Sequence, residues 1–414
     1  MGRFLHIPST AALLLHLAIL AGCDDQGGGG AGGGAAGGAG AQAEAPHQTP
    51  TLQPARYLTG HKDGVHALDF SPDGTRIVTA SQDGTAGVWE TETGKQIHSL
   101  VGHQGAVYGA AFSADGERVA TAGLDGVVLV WDVASGDLLA MLEGHSQGVM
   151  AVEFLADGSV ISGGQDGSVR HWHVGQEKQI WAVRSDPAQV TSLAVSPDGA
   201  RLAVGGFSGY VVVWDLGTRR PLWREVAPAS EEEQKQLLAR QAAKARAEGA
   251  VAPEGGDAAG EEGEEDDKPP PSPARQRPRA IMGVVFSPDG SKIFSQMYYN
   301  VVQEWDAGTG RYVRVVEPLE RVMALDLTGD GRWFLVASVD QTHVTDAETL
   351  ARAASLMPGF QFGHDAAFSP DGRFAAVGQG GAWRQDRTWQ TAEDPRVPVW
   401  DLSSLKPATR PANP

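Results

Sequence analysis

An all-β fold made of repeated four-stranded sheets is what this sequence predicts, and three observations carry that expectation. First, the stretch from Gly60 to Asp132 states one pattern twice. Gly60-His61, Phe70-Ser71-Pro72-Asp73-Gly74, Ser81-Gln82-Asp83-Gly84 and Trp89-Glu90 are answered by Gly102-His103, Phe112-Ser113-Ala114-Asp115-Gly116, Gly123-Leu124-Asp125-Gly126 and Trp131-Asp132. Second, the period holds: Trp131 lies 42 residues after Trp89, and Trp172 closes a third copy 41 residues later. Third, a turn ending in Asp-Gly recurs seven times, at Gly74, Gly116, Gly158, Gly199, Gly290, Gly331 and Gly372. A repeat of roughly 40–45 residues with a Gly-His opening and a Trp-Asp close marks the blades of a β-propeller. Seven turns therefore predict seven blades.

Each element of a blade has a local cause. In the first unit Val65 to Phe70 reads as the innermost strand a, and Ser71 to Gly74 as the turn, with proline and aspartate shaping it and glycine taking positive φ. Arg76 to Ser81 follows as strand b, and Gln82-Asp83-Gly84 turns into strand c, ending at Trp89. Thr93-Gly94 turns into the outer strand d, Gln96 to Leu100. A lone blade cannot bury both faces of its sheet, so stacking against neighbours supplies the core. Strand c closes on Trp214-Asp215, Trp305-Asp306 and Trp400-Asp401 in blades four, five and seven, while Thr345-Asp346 makes blade six degenerate. Nothing after Leu402 reads as a last strand d. The segment Arg56 to Thr59 has the character to fill it, which would close the ring and leave no open edge.

The chain resembles the WD40 family on these motifs. The resemblance implies a hydrogen-bonded tetrad in each complete blade: the opening His, a Ser/Thr of strand b, the Asp of the b–c turn and the Trp indole. The matching residues are His61, Thr79, Asp83 and Trp89; His103, Thr121, Asp125 and Trp131; and His145, Ser162, Asp166 and Trp172. A His-Asp-Ser trio also suggests a hydrolase, but three copies at blade spacing, each tied to a Trp whose N–H needs a partner, serve architecture. Blade four has Val204 and Ser208 where Thr and Asp would stand, and blades four to seven, lacking complete tetrads, are expected to be the less rigid half.

The first 22 residues carry Arg3 and then an apolar run from Ala11 to Ala21. A spanning helix needs about 20 apolar residues, so the run has the dimensions of a signal-peptide core. It ends in Leu20-Ala21-Gly22-Cys23, which resembles the lipobox of bacterial lipoproteins and implies Cys23 as a lipid attachment site. The alternative is a plain secretory signal with an incidental cysteine; that the chain's single cysteine sits at this position favours the lipid site. Residues 23–54 are rich in Gly, Ala, Gln and Pro and read as a flexible tether, with a root-mean-square span of roughly 30 Å. The propeller is expected over residues 55–403 and a tail over 404–414.

Two insertions interrupt the blades. Residues 228–279, between blades four and five, begin with a Glu/Lys/Ala-rich segment, Glu231 to Glu248, in which only Leu237 and Leu238 offer an apolar face. An exposed helix followed by a disordered acidic loop is expected. Residues 380–395, in the b–c loop of blade seven, carry Trp383, Arg384, Arg387 and Trp389, types enriched at interface hot spots. They suit a partner contact or local packing equally. Within the resemblance, d–a and b–c loops share one face, so both insertions are expected on one rim. The residue after the first apolar position of each strand a, His66, Tyr108, Met150, Thr191, Met282, Met323 and His364, is expected at the same mouth. So are Gln82, Leu124, Gln165 and Phe207, which precede the b–c turn Asp or its equivalent. These adaptable and aromatic types suit a protein or peptide ligand.

A formal net charge of −18 argues against a nucleic-acid partner, whose phosphates are held by Lys and Arg. One cysteine excludes an internal disulfide framework and a Cys-based zinc site. The expectation is a monomeric, non-catalytic interaction scaffold without a cofactor, lipid-anchored in the cell envelope. The alternative is a small-ligand or metal-binding propeller using the central funnel, with His66 and His364, or His171 and His173, as candidates.

Overall fold

The computed structural model describes residues 49–228, 233–241, 280–297, 301–320, 322–338, 341–356, 363–379, 382–383, 389–390 and 395–405. The signal segment with Cys23, the tether up to residue 48, residues 242–279, Arg384, Arg387 and the tail from residue 406 lie outside the described residues. The described strands form seven blades and one small two-stranded ladder. Blade one is Val65–Phe70, Arg76–Ser81, Thr85–Glu90 and Gln96–Val101, paired antiparallel in chain order as strands a to d. The inner strands of the next six blades are Val107–Phe112, Val149–Phe154, Val190–Val195, Ile281–Phe286, Val322–Leu327 and Gly363–Phe368. Each packs on the inner strand of the following blade, and that of blade seven on that of blade one. The ring is closed.

Its hydrophobic core is divided among seven seams, one between each pair of neighbouring blades. This follows from the two-sided apolar character of the middle strands: Ile77 of strand b enters the seam with blade seven, Val78 and Ala80 take the opposite face, and all three are buried. The strand order is set by turns whose chemistry is local. In the first, Gly74 sits at φ +70°, its N–H donates to Ser71 O at 2.7 Å, and Ser71 Oγ donates to Asp73 Oδ1 at 2.6 Å.

The closing strand is where the composition places it. Arg56–Leu58 pairs antiparallel with the last strand, Val397–Asp401, with Leu58 opposite Val397. Leu58 is buried with Val65, Trp89, Val397 and Val399 in the seam between blades seven and one. The tether ends earlier than the sequence reading places it: Thr51–Leu52 runs parallel beside the outer strand of blade six, Arg352–Leu356, as a fifth strand. Pro50 O accepts a hydrogen bond from Ser355 N there. Leu52 packs against the seam between blades six and seven, which gives this short strand its reason to dock.

Because the strands alternate in direction, a–b and c–d turns lie at one rim, and b–c and d–a connections at the other, the mouth. In all seven blades the a–b register shifts between the first and third residues of strand a. The residue inside each bulge is the one expected at the mouth, from His66 round to His364. A bulge re-aims its side chain and frees it from the ladder, so the common position has a backbone cause.

The helix of the acidic insertion, residues 233–241, corrects two expectations. Leu237 is buried, packed among Ile281, Trp305, Tyr312 and the blade-four residues of the seam between blades four and five; only Leu238 is exposed. Gln241 Nε2 donates to Gly310 O at 3.5 Å, and Gly310 belongs to the c–d turn of blade five. The helix therefore carries the chain down the outside of the ring toward the rim opposite the mouth. Trp383 and Trp389 are register partners in the small ladder, Ala382–Trp383 with Trp389–Gln390, inside the b–c connection of blade seven. Both insertions leave the ring at the mouth, but the described helix of the first runs away from that rim.

Candidate functional site: the mouth of the channel

The mouth is held by three complete tetrads below it. In blade one the Trp89 indole N–H donates to Thr79 Oγ1 at 2.7 Å, Thr79 Oγ1 meets His61 Nε2 at 2.7 Å, and His61 Nδ1 meets Asp83 Oδ2 at 3.0 Å. With a neutral imidazole, a single direction satisfies every group: indole to hydroxyl, hydroxyl to Nε2, and Nδ1–H to carboxylate. Burial works against the charge on Asp83, but hydrogen bonds from His61, Thr85 and the Lys62 N–H outweigh it and hold the carboxyl well below its ordinary range. Blade two repeats the chain through Trp131, Thr121, His103 and Asp125, with distances of 2.9 to 3.1 Å. Blade three does so through Trp172, Ser162, His145 and Asp166, at 2.8 to 3.1 Å.

Where the motif is broken the indole finds another partner. In blade four Trp214 Nε1 donates to Ser185 Oγ at 3.1 Å, and Asp186, 2% exposed, accepts from Ser208 Oγ and the N–H groups of Ala188 and Gln189. Blade five keeps the strand-b position of the tetrad: Trp305 Nε1 donates to Ser295 Oγ at 2.9 Å.

Over blades seven, one and two the mouth residues meet. The His66 ring lies 5.0 Å from that of Tyr108 and 5.0 Å from that of His364, and its Nε2–H donates to Gln82 Oε1 at 2.8 Å. Burial pushes the Tyr108 hydroxyl up to about 12, so it stays a neutral donor. Leu124, Met150, Phe207 and Met282 are half-buried at the same level. Met323 and Gln165 are buried instead. Gln165 sits under Gly148 and Leu124, and neither of its amide atoms has a protein partner among the described residues. Thr191 is a staple, donating to Gly205 O and Ile281 O across the seam to blade five. Of the second histidine pair, His171 Nε2 meets Ser159 Oγ at 2.7 Å and its ring packs on Trp181, while His173 is exposed. Among the described residues no three His, Cys, Asp or Glu side chains are grouped to hold a metal ion.

One set of residues escapes the sequence reading. Asp69, Glu153 and Asp326 occupy the fifth position of strand a in blades one, three and six, and Asp365 the third position in blade seven. All four face the channel, half-buried by area yet enclosed by the ring. Burial pushes Asp69 and Asp365 up to about 7, Asp326 to about 6 and Glu153 to about 8. The charge of neighbouring acids adds to this at Asp69, Asp365 and Glu153, and backbone hydrogen bonds to the three aspartates oppose it. The available signal was an acid on a strand whose both faces are covered.

Compared with known proteins, residues 52–90, 94–132, 136–173 and 177–215 match the model of the WD domain, G-beta repeat. Each matched repeat begins in the outer strand of one blade and ends in strand c of the next, so the first repeat owns the closing strand. A guanine nucleotide-binding protein subunit beta of Nicotiana tabacum is 44% identical over 45 residues, 11% of this chain and 12% of that protein. WD repeat-containing protein 86 of Homo sapiens is 45% identical over 40 residues, 10% of this chain and 11% of that protein. Periodic tryptophan protein 2 of Saccharomyces cerevisiae is 51% identical over 35 residues, 8% of this chain and 4% of that protein. The likeness thus spans about one repeat and an eighth or less of each relative's length. Seven four-stranded blades and a ring closed by its first strand make this chain a seven-bladed propeller, and four repeats in series within it match the WD domain, G-beta repeat.

Proposed function

We propose that this chain is a non-catalytic interaction scaffold that takes a protein or peptide partner at the mouth of its channel. The observation that carries this is the continuous His364–His66–Tyr108 cluster, flanked by Gln82, Leu124 and Met150. Aromatic and Met side chains on bulged positions give a rigid, apolar contact with a polar handle, which suits burial against another protein. The support for a binding role is that propellers with WD40 repeats generally bind proteins, a fold-level analogy. The lipobox-like Leu20-Ala21-Gly22-Cys23 supports attachment of Cys23 to a lipid, with the propeller on the periplasmic or surface side of a bacterial envelope.

Two measurements test it. Mass spectrometry of the mature protein is expected to find a lipid mass on an N-terminal Cys23 that Cys23→Ala lacks; an unmodified cysteine removes the anchor. Crosslinking in the envelope is expected to recover a partner, with recovery lowered about tenfold by His66→Ala/Tyr108→Ala. Recovery equal to the parent's moves the partner away from the mouth.

A further inference from the structure

We propose that Asp69, Glu153, Asp326 and Asp365 form a proton-responsive latch on the ring closure, tight while the carboxyls are protonated and loosened as they ionise. The three aspartates are bridges between blades. Asp326 Oδ2 accepts from Phe368 N at 2.7 Å, joining blade six to seven. Asp365 Oδ2 accepts from Leu68 N at 2.9 Å, joining seven to one. Asp69 Oδ2 accepts from Phe112 N at 2.8 Å, joining one to two. The first two of these consecutive seams flank the blade that Arg56–Leu58 completes, and the third is the next seam round the ring. Elsewhere in the ring the corresponding links are neutral, as where Ser192 Oγ accepts from Val284 N, or Gln296 donates to Val322 O.

The bridging aspartates face one another. Asp69 and Asp365 each feel the charge of Asp326, and Glu153 feels those of Asp69 and Asp365. No inner strand carries Lys or Arg, so nothing on the channel wall offsets a second or third negative charge. The other titratable groups on these strands are His66, Tyr108 and His364, which occupy the bulges at the mouth. On the adjoining second strands, Arg118, Arg201 and Lys292 are paired with Asp115, Asp198 and Glu304, and Arg76 lies by Asp73. A carboxyl can accept the bridging N–H in either protonation state; ionisation strengthens that hydrogen bond, but the cost of charge in the enclosed channel, with repulsion from the neighbouring acids added, outweighs the gain.

The sign follows from linkage. The folded ring holds protons that the unfolded chain releases near pH 4, so this contribution is full below pH 4 and falls as pH rises through 6 to 8. His343, which burial holds near 4, and His171 work in the opposite sense, but only below about pH 6.5, where unfolded histidine is protonated. The clean window is pH 6.5 to 8.5.

Thermal unfolding of the full chain is expected to give a melting temperature lower at pH 8.5 than at pH 6.5 by roughly 4 °C or more. Glu153→Gln, which removes a charge and breaks no hydrogen bond, is expected to recover roughly 2 °C of that fall. Asp365→Asn, which keeps an acceptor for Leu68 N, serves as the second variant. Amide exchange corrected for intrinsic chemistry is expected to rise at Leu68, Phe112, Phe368 and the Arg56–Leu58 strand, and not in blade four. A melting temperature that is flat or rises with pH, a fall untouched by either variant, or equal exchange changes in blade four each overturn the latch.

Discussion

Thr79 shows how much one hydroxyl can carry. It is the shared point between the Trp89 indole and the His61 imidazole, all three buried. Replacing it with Val keeps the volume and leaves both a donor and a ring nitrogen unpaired. A buried group left without its partner costs about 1–3 kcal/mol, so Thr79→Val is expected to lower stability by about 2–4 kcal/mol. Ser295 in blade five satisfies only the Trp305 indole. Ser295→Ala is therefore expected to cost less, about 1–2 kcal/mol. Denaturant unfolding of the two variants checks the ranking; equal losses would show that the tetrad is not a connected unit. The tetrad residues were legible because in three copies the Ser/Thr and the Asp lie at fixed distances from the Trp and the His within one residue of one. The channel acids were not, because a single Asp such as Asp69 in Val65–Phe70 looks like the solvent side of an alternating strand. Only closing the ring turns that side into an enclosed channel.

At the scale of elements, the N-terminal chain contributes two strands of unequal weight. Arg56–Leu58 makes a register of three pairs, buries Leu58, and directs the Arg56 guanidinium to Thr91 O at 2.6 Å, beside Glu92. Thr51–Leu52 adds one short parallel pairing at the outer edge of blade six. Removing residues 1–54 is expected to change stability by about 1 kcal/mol or less. Leu58→Ala alone is expected to cost about 2–4 kcal/mol, because the seam it fills is closed on all sides. Calorimetry of both proteins decides the matter; a truncation as costly as the substitution would make the fifth strand part of the closure. The closing strand was legible as the piece that fits a missing last strand. Thr51–Leu52 was not, because two residues next to a proline carry no strand period, and what fixes them is the packing of Leu52 against the seam between blades six and seven.

For the whole molecule, the turn glycines gave the blade number because each needs positive φ at a set place in the repeat, and the seven were counted without reference to the degenerate sixth Trp position. The course of the first insertion depended on a contact no periodicity encodes: Leu237 is one of two adjacent leucines on a polar helix, and it alone of the pair enters the seam between blades four and five. That helix leads the chain away from the mouth, where both insertions are expected from the sequence. With Gln241 at Gly310, the acidic segment departs from the rim opposite the His364–His66–Tyr108 cluster. Replacing residues 242–279 with a Gly/Ser linker of equal length is then expected to leave the melting temperature within about 1 °C. Crosslinking at the mouth is expected to be unchanged. Leu237→Ser, which puts a hydroxyl in that seam, is expected to cost about 2–3 kcal/mol while sparing the same crosslink. If the linker variant instead loses the partner, the acidic segment reaches round the ring to the mouth, and binding there belongs to both rims together.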